Sequence, residues 1–65
     1  MLRITVITKL KPDGYHEQVK PGATVKDAFD QVVGGNTSGC TPKVNDKEVA
    51  WSYGLREGDV VEFDV

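Results

Sequence analysis

A chain of 65 residues holds one domain at most, and its core must offset an ordering cost of roughly 1.5 kcal/mol per residue. With 38% hydrophobic and 28% charged residues it lies among ordinary globular domains, away from the low-hydrophobicity, high-charge range of disordered chains. The net charge of −2 is uneven: residues 1–44 carry six Lys/Arg against four Asp/Glu, residues 45–65 two against six, and this C-terminal acidity argues against a phosphate backbone as partner and for a protein.

Cys40 is the single cysteine and His16 the single histidine, which excludes an internal disulfide and a zinc-type ligand set. No apolar run approaches the roughly 18 residues of a membrane span, and Met1 is followed by an alternating pattern instead of a signal-peptide apolar block. The expectation is a cytoplasmic protein of a single domain, 1–65, with no membrane attachment, cofactor or metal.

Residues 2–10 alternate, placing Leu2, Ile4, Val6, Thr8 and Leu10 on one face and Arg3, Thr5, Ile7 and Lys9 on the other, which is the pattern of a half-buried strand. Lys11-Pro12-Asp13-Gly14 supplies turn residues, and residues 15–20 return as a second strand with Tyr15, Glu17 and Val19 on one face. After Pro21-Gly22-Ala23, Thr24 with Asp27 three residues on forms a capping box in which the shorter acid replaces Glu. Val25, Ala28, Phe29, Val32 and Val33 then make one helical stripe, stopped by Gly34-Gly35.

Residues 34–42 show neither period and read as a flexible surface loop. Residues 43–45 form a short strand, residues 45–47 a turn and residues 48–50 the return strand. Trp51-Ser52-Tyr53-Gly54 is an irregular connection to Leu55. Arg56-Glu57-Gly58-Asp59 makes a tight turn into a last strand, where Val61, Phe63 and Val65 alternate with Val60, Glu62 and Asp64. One helix with one apolar stripe asks for a two-layer α+β domain, its helix lying across one face of a mixed sheet in which the long first and last strands pair centrally.

Three segments carry a resemblance: Pro21-Gly22-Ala23-Thr24-Val25, Val44-Asn45-Asp46-Lys47-Glu48-Val49, and the run from Leu55 to Phe63. In this order they resemble the small β-grasp, ubiquitin-like proteins of the ThiS/MoaD sulfur-carrier superfamily, with the TGS domains of some RNA-linked proteins as a second likeness. The resemblance implies a β-grasp fold of order ββαβββ and a role beside an activating enzyme in thiamine- or molybdopterin-type cofactor synthesis. Sulfur carriers of this kind continue into a flexible tail ending in two glycines, whose carboxylate is adenylated and converted to a thiocarboxylate. This sequence ends Phe63-Asp64-Val65, so the expectation is a non-catalytic binding module without that tail. A working sulfur carrier and a TGS-like RNA-associated module are the alternatives.

Among candidate chemical groups, Cys40 follows the C-terminal end of the helix, whereas a reactive thiolate needs a nearby base or a helix N-terminus, and it reads as a spacer or partly buried residue. His16 alternates in direction with Tyr15 and Glu17. Glu62 and Asp64 share a face at i, i+2, but a solvated sheet face balanced by Arg3 is the simpler account. Gly34-Gly35-Asn36-Thr37-Ser38-Gly39 lacks the Gly-Lys-Ser/Thr of a phosphate loop. The expected partner-binding residues are Ile7 and Val60, an apolar spot on the sheet face away from the helix, with Arg3 and Glu62 around it and Trp51 and Tyr53 at its edge as aromatic anchors. Trp51 reads equally as a cap on one edge of the core. The expected partner is a protein, activating-enzyme-like or an assembly protein.

Overall fold

The computed structural model describes residues 1–35 and 39–64. In chain order the elements are β1 (Leu2–Ile7), β2 (Tyr15–Val19), α1 (Val25–Val32), β3 (Pro42–Val44), β4 (Lys47–Glu48) and β5 (Val60–Phe63). They form a small α+β domain: one five-stranded mixed sheet, ordered β2-β1-β5-β3-β4, with α1 packed on one face. β1 and β5 are the parallel pair at its middle, with Thr5 opposite Val60, Val6 opposite Val61 and Ile7 opposite Glu62. The neighbours of this pair are antiparallel.

The helix begins as the sequence requires. Asp27 N–H donates to Thr24 Oγ1 at 3.4 Å while Thr24 N–H donates to Asp27 Oδ2 at 2.9 Å, so both halves of the capping box are made. The two preceding helical N–H groups are met from the other end of the chain, Val25 donating to the Tyr53 carbonyl and Lys26 to the Trp51 carbonyl, each at 3.0 Å. At the far end Val33 and Gly34 N–H both donate to the Phe29 carbonyl at 2.8 Å, and Gly34 adopts φ 76°, the left-handed stop that glycine tolerates.

Between the layers, Val25, Ala28 and Phe29 of the helix meet Ile4, Val6, Val19, Val44, Val61 and Phe63 of the sheet. Each of these valine, isoleucine and phenylalanine side chains, fully buried, contributes about 1.5–3 kcal/mol. Phe29 stands edge-on to both Phe63 (centroids 5.1 Å apart) and Trp51 (5.2 Å), while Trp51 stacks on Phe63 at 5.9 Å. Cys40, placed by sequence in a mobile loop, has its side chain in this core at 8% exposure. The expectation of a flexible 34–42 loop falls partly on residues 36–38, and that of Val65 as a strand residue on residue 65, all outside the described residues.

The first strand is shorter than its alternation suggests. It ends at Ile7, because Lys11 N–H donates to both the Thr8 carbonyl and Thr8 Oγ1 at 3.2 Å and closes a turn, and a second turn follows with Gly14 N–H donating to the Lys11 carbonyl at 3.0 Å. Leu10, expected on the core face, is 91% exposed as a result. Gly14 fits against the sheet only because it lacks a side chain: a Cβ there would lie 2.8 Å from Thr5 Cγ2, and its φ is 90°. The second hairpin is displaced by one residue from its expected position, since Asn45 (φ 52°) and Asp46 (φ 69°) are both left-handed and form a two-residue type I′ turn between Val44 and Lys47.

Candidate functional site

The sheet face opposite the helix is uncovered among the described residues, and its composition follows from alternation. Because Ile4, Val6, Val61 and Phe63 point inward, Arg3, Thr5, Ile7, Val60 and Glu62 point outward. Register then sets their neighbours. Val60, 38% exposed, lies beside Thr5, and half-buried Ile7 lies one step further along the same parallel pair, beside Glu62. The structure therefore brings Ile7 and Val60 together as diagonal neighbours at the centre of this face.

Charged residues surround that apolar pair in ordered rows. Glu62 faces Lys43, and Lys43 faces Glu48, so a lysine sits between two carboxylates across three strands. Lys9 Nζ lies 3.1 Å from the Asp64 carboxylate. These five side chains line a shallow concavity of about 380 Å³ beside the Ile7 row, with cations and anions alternating. Lys43 was not singled out by sequence; only the strand register shows it between Glu62 and Glu48.

At the opposite end of the face, Arg3 is held by a residue distant in sequence. Arg3 N–H donates to Glu57 Oε1 at 3.0 Å and Arg3 Nε to Glu57 Oε2 at 3.3 Å. The backbone N–H of Arg3 is the main cause, with the Arg3 charge and side-chain bond and the N-terminal charge adding to it, of a Glu57 pKa below the ordinary carboxylate value; desolvation opposes them and loses. The Arg56-Glu57-Gly58-Asp59 turn is thereby attached to β1, which Gly58 N–H and Thr5 N–H reinforce by donating to the Arg3 and Asp59 carbonyls at 2.7 and 3.0 Å.

Trp51 and Tyr53 are not beside this face. Trp51 stacks on Phe63, an inward residue, and is half-buried on the helix side, where its carbonyl and that of Tyr53 serve the helix N-terminus. Tyr53 is 36% exposed. The Trp51 side chain thus belongs to the layer opposite Ile7 and Val60.

His16 is exposed and faces Thr5 across β1 and β2, while Cys40 is buried. Among the described residues no three or more His, Cys, Asp or Glu side chains are grouped as a metal would require, and no helix is long and apolar enough to cross a membrane. No protein-family model matches the chain, and no curated protein matches it significantly.

Proposed function

We propose that this chain is a non-catalytic protein-binding module of β-grasp, ubiquitin-like architecture, similar to the ThiS/MoaD sulfur carriers, and that it binds its partner through the open sheet face centred on Ile7 and Val60. The observation that carries the reading is this pair: two β-branched aliphatic side chains, adjacent on the paired central strands, outward-facing and ringed by charged side chains. An apolar centre with a polar rim is the anatomy of a protein interface. The ββαβββ order and the parallel contact of the first and last strands support the β-grasp reading.

A binding role fits the engagement of the acidic groups. Asp64 is held by Lys9, Asp30 by Lys26 and Glu57 by Arg3, and Asp59 accepts the Arg56 N–H and the Asn45 amide. These carboxylates act within the fold. The partner is a protein of the activating-enzyme or assembly kind, met in the cytoplasm. The test is a paired substitution, Ile7→Lys with Val60→Lys, whose long side chains can extend into solvent without disturbing the core. The amide spectrum should keep its dispersion while co-purifying protein is lost. Unchanged co-purification would refute this face as the site.

A further inference from the structure

Two ion pairs cross the central seam of the open sheet face, and both run the same way. In each the cation belongs to the β1 side and the carboxylate to the β5 side: Arg3 Nε stands 3.3 Å from Glu57 at one end, and Lys9 Nζ stands 3.1 Å from Asp64 at the other. Ile7 of β1 and Val60 of β5 lie between them. Beyond the seam the two halves keep this sign. On β2, His16 and Gln18 face Thr5 and Arg3 and bring no carboxylate, whereas across β5, β3 and β4 one cation, Lys43, lies between the carboxylates of Glu62 and Glu48. All four members of the two ion pairs have side chains more than half exposed, so each remains open to a further ionic contact.

A face polarised in this way is complementary to itself. A half-turn about an axis parallel to β1 and β5, lying in the plane of contact, sets the β1 half of one copy over the β5 half of another at the same level along the strands. Arg3 then meets the second copy's Glu57, Lys9 meets the second copy's Asp64, and both contacts occur twice. Two Ile7 and two Val60 side chains gather about the axis between these charged ends. We infer that this chain forms a two-fold dimer, open sheet face against open sheet face. The inference rests on the reading of this face as an interface, and it adds that a second copy and the partner protein exclude one another there. The face measures about 24 Å across its five strands and about 20 Å along the six-residue β1, which places the dimer among weak, transient contacts of under about 1,200 Å².

The experiment is sedimentation equilibrium of the purified chain at about 10 μM to 1 mM, the range of weak association. The average mass should rise from monomer towards dimer with concentration at low salt, and added salt should weaken the rise. Val60→Lys should stay monomeric, with an amide spectrum as dispersed as that of the wild type. Lys9→Glu and Asp64→Lys, each alone, set like charges against each other at both ends of the dimer and should associate about tenfold more weakly. Mixed in equal amounts these two variants should regain association, because Glu at position 9 then meets Lys at position 64 in one contact and Asp64 meets Lys9 in the other. A monomer at every concentration overturns the inference, and the partner reading then stands or falls separately on whether position 60 crosslinks a different protein in cells. A dimer that persists unchanged in Val60→Lys, or a mixture that associates no better than its components, overturns it as well.

Discussion

The Asn45 amide donates to the Asp59 carboxylate at 3.3 Å while its oxygen accepts the Val60 N–H at 3.2 Å, so the β3–β4 turn is fastened to the residue that opens the last strand. Asp59 is 7% exposed, and its other oxygen accepts the Arg56 N–H at 2.9 Å. Replacing Asp59 with Ala strands both donors, at an expected cost of about 1–3 kcal/mol. Asn45→Ala should cost less, and the double variant less than the sum of the two, because they share one network. Urea unfolding of the four proteins measures this coupling.

Asp46 holds φ 69° at the second position of a type I′ turn, where glycine carries no steric penalty. Asp46→Gly should therefore stabilise the domain by about 0.5–1 kcal/mol, a rise of a few degrees in the thermal midpoint. No change or a loss would show that the Asp46 side chain contributes more than its backbone strain costs.

How much of this was legible in the sequence divides along the range of the interactions. The helix start was readable because Thr24 and Asp27 satisfy each other within one turn, and the inward direction of Val61 and Phe63 because alternation is local. The end of β1 was not, since Thr8 spends its hydroxyl and carbonyl on Lys11 and no alternation pattern registers that bond. The side taken by Trp51 depends on Phe63 and Phe29, distant in the chain, and the Glu62, Lys43 and Glu48 row exists only through register. Ile7 and Val60 could be assigned to one face from sequence, whereas the exposure of Leu10 required the exact place where the strand stops.

Glu57 gives the fold an acid-sensitive contact. A carboxyl whose folded-state pKa is below its unfolded value adds stability above the unfolded value, and that stability is lost as pH falls through the folded one. Wild type should therefore exceed Glu57→Gln in stability near neutrality and converge with it at pH values below the ordinary carboxylate range. The pair is solvent-exposed, so added salt should narrow the gap. Chemical unfolding across an acidic pH series tests both statements.

Trp51 is a core side chain by its contacts, stacked on Phe63 and edge-on to Phe29. Trp51→Ala should cost about 2 kcal/mol or more, and Trp51→Phe much less. Quenching experiments should find the indole fluorescence partly shielded in the folded state and fully accessible after unfolding.

The proposed partner surface is the pair Ile7 and Val60. A photo-crosslinking residue placed at position 60, activated in the protein's own cells and followed by mass spectrometry, reads that contact directly. Binding through this face requires a protein adduct from position 60 that disappears when Ile7→Lys is added to the same chain. An adduct to nucleic acid, no adduct, or one that survives Ile7→Lys would contradict it.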